Sequence, residues 1–167
     1  MCYTLSKFLN VPLTQSKNRV VRHLRPLGIA ANITQSSFCR VDTVLLTFGH
    51  LVATYRKMND PEDLPGCNAI IKSIERRWSK ADQEIFIAAV ILNPFYQTSP
   101  FAQIPQLRTA EIIAMTTRLW KRFFRTDAPP NFALDLLDYL GKKGEYKNLD
   151  IMLNVERNRA DKIVCCI

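Results

Sequence analysis

Asp60-Pro61-Glu62-Asp63 places three carboxylates in four residues, a density that suggests a divalent metal site. A plainer role fits the same residues. Asp60 can cap a helix, Pro61 can fill its first position, and the remaining acids can complement the helix dipole, or the four can form an acidic turn. Gly141-Lys142-Lys143-Gly144 could cradle a phosphate, but it lacks the Ser/Thr and the preceding strand of a P-loop. It reads as a helix stop with solvated lysines. Nucleophilic catalysis needs a base beside the nucleophile, and neither His23 nor His50 sits in such a motif. Cys2, Cys39, Cys67, Cys165 and Cys166 contain no C-x-x-C pair and stand at no metal-ligand spacing from either histidine. No catalytic residue, no metal ligand and no cofactor is therefore expected.

Two basic clusters remain. One is Lys17, Arg19, Arg22 and Arg25, with His23 among them. The other is Arg118, Lys121, Arg122 and Arg125, spaced i, i+3, i+4 and i+7, a continuous stripe on one side of a helix. Such a stripe can lie along a phosphate backbone or can simply be a solvated face. These eight residues are the candidates for non-specific DNA contact. Trp78, Trp120, Phe123 and Phe124 have rings that could stack on bases, but their helical spacing suits a core equally well.

Composition bounds these readings. The 167 residues suit one domain, or a piece of a larger one. A hydrophobic content of 47% supports a packed core, and only 5 glycines with 9 prolines favour punctuated helices over a turn-rich β fold. The net charge of +8 permits contact with nucleic acid or an acidic surface. An odd, scattered set of cysteines points to a reduced, intracellular chain. The longest apolar run, Ile85 to Leu92, is too short to span a membrane, and the N-terminus is too short and too weakly charged for a signal peptide. The C-terminal VCCI has Val164 where a prenylation box needs cysteine, which leaves palmitoylation of Cys165 or Cys166.

The elements follow from periodicity. Val20, Leu24, Leu27 and Ala31 mark a helix over about 16–35, kinked or broken at Pro26. Val41, Val44, Leu45, Phe48, Leu51, Val52 and Tyr55 mark a second, started by Ser36 or Ser37, with Asp42 and Thr47 facing away. Ile70, Ile71, Ile74 and Trp78 mark a third. Ser79 and Asp82 approximate a capping box for a fourth over 80–92, which Ala88-Ala89 favour over a strand. Its second half is apolar all round, so it is expected to be buried, and a buried strand stays open as the alternative. A proline-bearing loop then leads to a long helix over about 106–125 and a short one capped by Asn131 and ended by Gly141. A last segment starts near Leu149. The expected fold is all-α: six or seven helices in an irregular bundle, with a tail over 1–15, a helical domain over 16–149 and a charged segment over 150–167.

The order of two of these elements resembles a known family. "IERRW" closing one helix, then "IAAVILNPFY", is similar to a recurring pattern of the hAT superfamily of DNA transposases, with Asn93 where that family often has Asp. The upstream stretch from Val20 to Leu51 also resembles the segment before that pattern, especially in fungal proteins of ribonuclease H-like type. The resemblance covers about 20–149. It implies the all-helical insertion of a ribonuclease H-like core, with the family's three metal-binding acids outside this chain, so no catalytic residue carries over to it. It further implies a nuclear protein, a truncated and inactive fragment with weak non-specific DNA contact. The alternative is a transposon-derived helical interaction module. On either reading, apolar surface at Phe95, Tyr96, Phe101, Phe123 and Phe124 is expected to be uncovered, which favours self-association or a protein partner.

Overall fold

The computed structural model describes the backbone of residues 5–102 and 104–164, and the side chains of 17–102 and 104–158. Among these residues the structure is helical with no strand, as periodicity indicates. Seven α-helices run in order: α1 (Leu5–Thr34), α2 (Val41–Arg56), α3 (Leu64–Trp78), α4 (Gln83–Ile91), α5 (Thr109–Phe124), α6 (Phe132–Gly141) and α7 (Leu149–Val164). Short 3-10 turns cover Ser99–Phe101 and Gly144–Asn148. The helices gather into two compact units that divide between Ala81 and Asp82, so the stretch 16–149 spans both. Helix α1 starts at Leu5, within the expected tail, and the charged C-terminal segment is helical as α7.

The first unit holds α1 to α3 around Ala30, Leu51, Tyr55, Cys67 and Ile74. Several local expectations change here. Helix α1 runs through Pro26 without a break. Its packed face is not the stripe that includes Val20, Leu24 and Ala31, all of which are exposed. The face turns instead toward His23, Leu27 and Ala30, because the His23 ring is drawn into polar contacts described below. Helix α2 starts from Arg40, with no side-chain cap from Ser36 or Ser37. Asp42 and Thr47 are buried rather than outward. Each has a local partner that makes burial tolerable: Arg40 donates to Asp42, and the Thr47 hydroxyl donates to the Thr43 carbonyl at 2.7 Å. Residues 60–63 form a turn, and α3 begins after it with Asp63 at the N-cap and Pro65 in the first turn.

The second unit packs Ala88, Ile91, Ile112, Met115, Leu119 and Leu136 together. The run Ile85 to Leu92 is a helix, and the strand alternative drops out. Burial is one-sided, however. Val90 and Ile91 are wholly buried, Ala89 is half-buried, and Leu92 is 53% exposed. Ser79 closes α3 instead of opening α4, its hydroxyl donating to the Arg76 carbonyl. Asp82 is the N-cap of α4, and its carboxylate pairs with Arg122.

Helix α6 ends at a left-handed residue that is Lys142 (φ 51°), not Gly141. The Lys143 N–H closes the end on the Asp138 carbonyl at 2.8 Å, so the Gly-Lys-Lys-Gly segment is a helix stop. Arg125 likewise ends α5 in the left-handed region, at φ 56°. A non-glycine residue is disfavoured there. Arg125→Gly should therefore raise stability by about 0.5–1 kcal/mol in urea titration.

Candidate functional site

Three places bring polar or exposed apolar groups together. The first is the basic stripe on α5. Arg118 reaches Glu84 of α4 at 2.5 Å, Lys121 reaches Asp127 at 2.9 Å, and Arg122 pairs with Asp82. The Arg122 hydrogen bond holds the Asp82 carboxyl below its usual range. Three of the four stripe cations thus already face a carboxylate, while Arg125 is exposed at the helix end. The ion pairs are exposed and individually weak, yet they must open or share before a phosphate can be bound.

The second place is a polar cluster in the first unit that the sequence hid. Asp63 is fully buried, and its carboxylate receives Arg19 and Arg22 together with His23 Nε2 at 3.1 Å. Glu62 also pairs with Arg19. The His23 hydrogen bond, followed by that from Arg19, holds the Asp63 carboxyl below its usual range. These partners explain why Asp63 makes no capping bond to α3. Arg19 and Arg22, two of the candidate DNA contacts, are committed here, whereas Lys17 and Arg25 are exposed. The acidic turn is thus more than a plain solvated turn. Its last residue anchors α1 to the start of α3. Among the described residues, no three His, Cys, Asp or Glu side chains gather as metal ligands. Cys2, Cys165 and Cys166 lie outside the described residues.

The third place is an open apolar groove in the second unit, with a volume of about 590 Å³. Ala88 of α4, Leu119 of α5 and Leu136 of α6 belong to both the core and the groove lining. Leu92, Phe123 and Phe124 contribute exposed apolar surface, the two phenylalanines being 62% and 61% exposed. Trp120 lines the groove too, packed on Phe124 and Phe132 with ring centroids at 4.4 and 5.3 Å. Its indole Nε1 is buried with no acceptor among the described residues. The exposure expected at Phe95, Tyr96, Phe123 and Phe124 is present. Phe101 is the correction, since it packs against the core of the second unit.

The ring contacts place Trp120 in an intramolecular cluster, and Trp78 is half-buried. Periodicity could find the apolar stripe of α5 but could not foresee that α4 and α6 leave one flank of it uncovered. No family model, curated protein or solved structure matches the chain. No helix among the described residues is long and apolar enough to cross a membrane.

Proposed function

We propose that this chain is a non-catalytic helical module of hAT-transposase type that binds a protein partner through the groove of its second unit. The observation that carries the reading is the flank of Leu92, Phe123 and Phe124, left open beside an otherwise packed core. A groove between helices, lined by aromatic and aliphatic side chains, suits the apolar face of a partner helix. The buried, unpartnered Trp120 Nε1 adds a donor that an incoming acceptor could satisfy. Parentage rests on the "IERRW" and "NPFY" residues and on the all-helical architecture, which accords with the family's insertion. On that parentage the protein is nuclear, and purified protein should not cut DNA with magnesium or manganese. Metal-dependent cleavage abolished by Asp82→Asn would overturn the non-catalytic reading.

The groove is tested by a hydrophobic dye in the native state. The parent should enhance dye fluorescence, and a Phe123→Ser/Phe124→Ser double variant should lose most of that signal while keeping its urea midpoint, since both rings are largely exposed. A dye-silent parent, or a variant that unfolds, would sink the proposal.

DNA contact is a minor part of the same reading. Weak, non-specific binding through Lys17, Arg25 and Arg125 is expected, because the other candidates have carboxylate partners. Alanine at Arg118, Lys121, Arg122 and Arg125 together should flatten the dependence of log affinity on log salt by about 1, not about 4. A change near 4 would mean that all four contact phosphates.

A further inference from the structure

The Asp63 cluster continues inward to sulfur. His23 Nε2 faces Asp63 Oδ1 at 3.1 Å, so in the neutral ring that donates from Nε2 the lone pair is on Nδ1. That nitrogen lies 4.0 Å from the Cys67 sulfur, and the same sulfur lies 3.8 Å from the Met58 thioether. A metal with bonds of about 2.0 Å to nitrogen and about 2.3 Å to sulfur holds trigonal donors about 3.7–4.0 Å apart. That geometry puts a nitrogen and a sulfur about 3.7 Å apart and two sulfurs about 4.0 Å apart, so a shift of about 0.3 Å or less brings each measured pair to it. We propose that His23, Met58 and Cys67 form a three-coordinate site for copper(I).

The donor set selects the ion. A thiolate and a thioether are soft ligands that favour copper(I), whereas zinc takes no thioether in its usual sites. The surrounding residues have the form that metal sites require. The Asp63 carboxylate fixes the tautomer of His23 in the manner of carboxylate–histidine–metal triads. The Tyr55 hydroxyl donates to the His23 carbonyl at 2.6 Å, tying that stretch of α1 to α2. Cys67 is 1% exposed, so a metal bound there is shielded from water. Copper(I) breaks the S–H bond, the proton leaves to solvent, and a sulfur–copper bond forms with no change in oxidation state. Charge stays balanced, because one cation enters as one thiol becomes a thiolate. A cavity of about 260 Å³ opens beside His23, lined also by Asp63 and Gly66. Three parts of the chain contribute one donor each: α1, the second residue beyond the end of α2, and the first turn of α3. No local spacing could reveal that convergence.

The test uses the full chain with Cys2, Cys39, Cys165 and Cys166 changed to serine, so that Cys67 is the only thiol. Reduced protein is titrated anaerobically with copper(I) against a chromophoric copper(I) chelator. One equivalent should be retained, with near-ultraviolet thiolate-to-metal absorption. Cys67→Ser should abolish it, and Met58→Leu, a volume-conserving change that keeps the fold, should weaken it about tenfold or more. Saturating copper(I) should also raise the melting temperature of the parent but not of Cys67→Ser. Uptake no tighter than in Cys67→Ser, or unchanged by Met58→Leu, would overturn the site. The groove of the second unit plays no part in this outcome.

Discussion

Ile91→Ala should cost about 3 kcal/mol of stability, the largest loss expected from a single truncation in the second unit. Ile91 is wholly buried among Ala88, Ile112, Met115, Leu119 and Leu136. Truncation removes its transfer energy and leaves a cavity that helices pinned on several sides cannot fully close. Its backbone adds to the constraint, because the Tyr139 hydroxyl donates to the Ile91 carbonyl at 3.1 Å and holds α6 against the end of α4. The next residue is the control. Leu92 carries a side chain of similar size but is 53% exposed, so Leu92→Ala should cost less than about 1 kcal/mol. Equal losses in urea titration would mean that α4 is buried on all sides. The half-buried Ala89 lies between these cases, so an aspartate there should disturb the groove as well as the packing.

Asp63→Asn should remove much of the acid sensitivity of the first unit and lower its stability at neutral pH. The native carboxylate is buried and held by His23, Arg19 and Arg22, which depress its pKa below the ordinary 3.8. A group whose folded pKa is depressed contributes stability that is fully present above its unfolded pKa and is lost as pH falls through the folded one. The parent should therefore lose stability as pH drops from about 5 through 3.8 and below. Asparagine cannot ionise, so that part of the acid limb should flatten, and at pH 7 the variant should unfold at lower urea because two guanidinium groups lose their shared partner. Parallel acid limbs for parent and variant would show that Asp63 is not the group responsible. Asp60→Asn serves as the local control, as Asp60 is exposed in the same turn.

The fold class was written in the sequence. Ile112, Met115 and Leu119 repeat at helical spacing and are buried, and in α3 Ile74 is buried with Ile70 and Ile71 partly buried against the same core. Periodicity reports which residues avoid water together, and a helix satisfies its own backbone hydrogen bonds, so local order is enough to define it. Element ends were less legible. Caps at Ser36, Ser79 and Asp60 were plausible by residue type, yet the helices start at Arg40, Asp82 and Asp63. Capping strength is about 1 kcal/mol, and long-range ion pairs such as those of Asp63 and Asp82 with arginines act on the same carboxylates.

What only the tertiary structure decided is which charges and which apolar faces find partners. Two basic clusters looked alike as sequence. Folding gives Arg19 and Arg22 to a buried aspartate 41–44 residues away, and Arg118 to a glutamate on the neighbouring helix. It also brings the Cys67 sulfur against both the His23 ring and the Met58 thioether. Spacing along a chain fixes the face of one helix. Contacts between helices depend on how side chains of different lengths interlock across the interface, and a single stripe of residues carries no record of its partner.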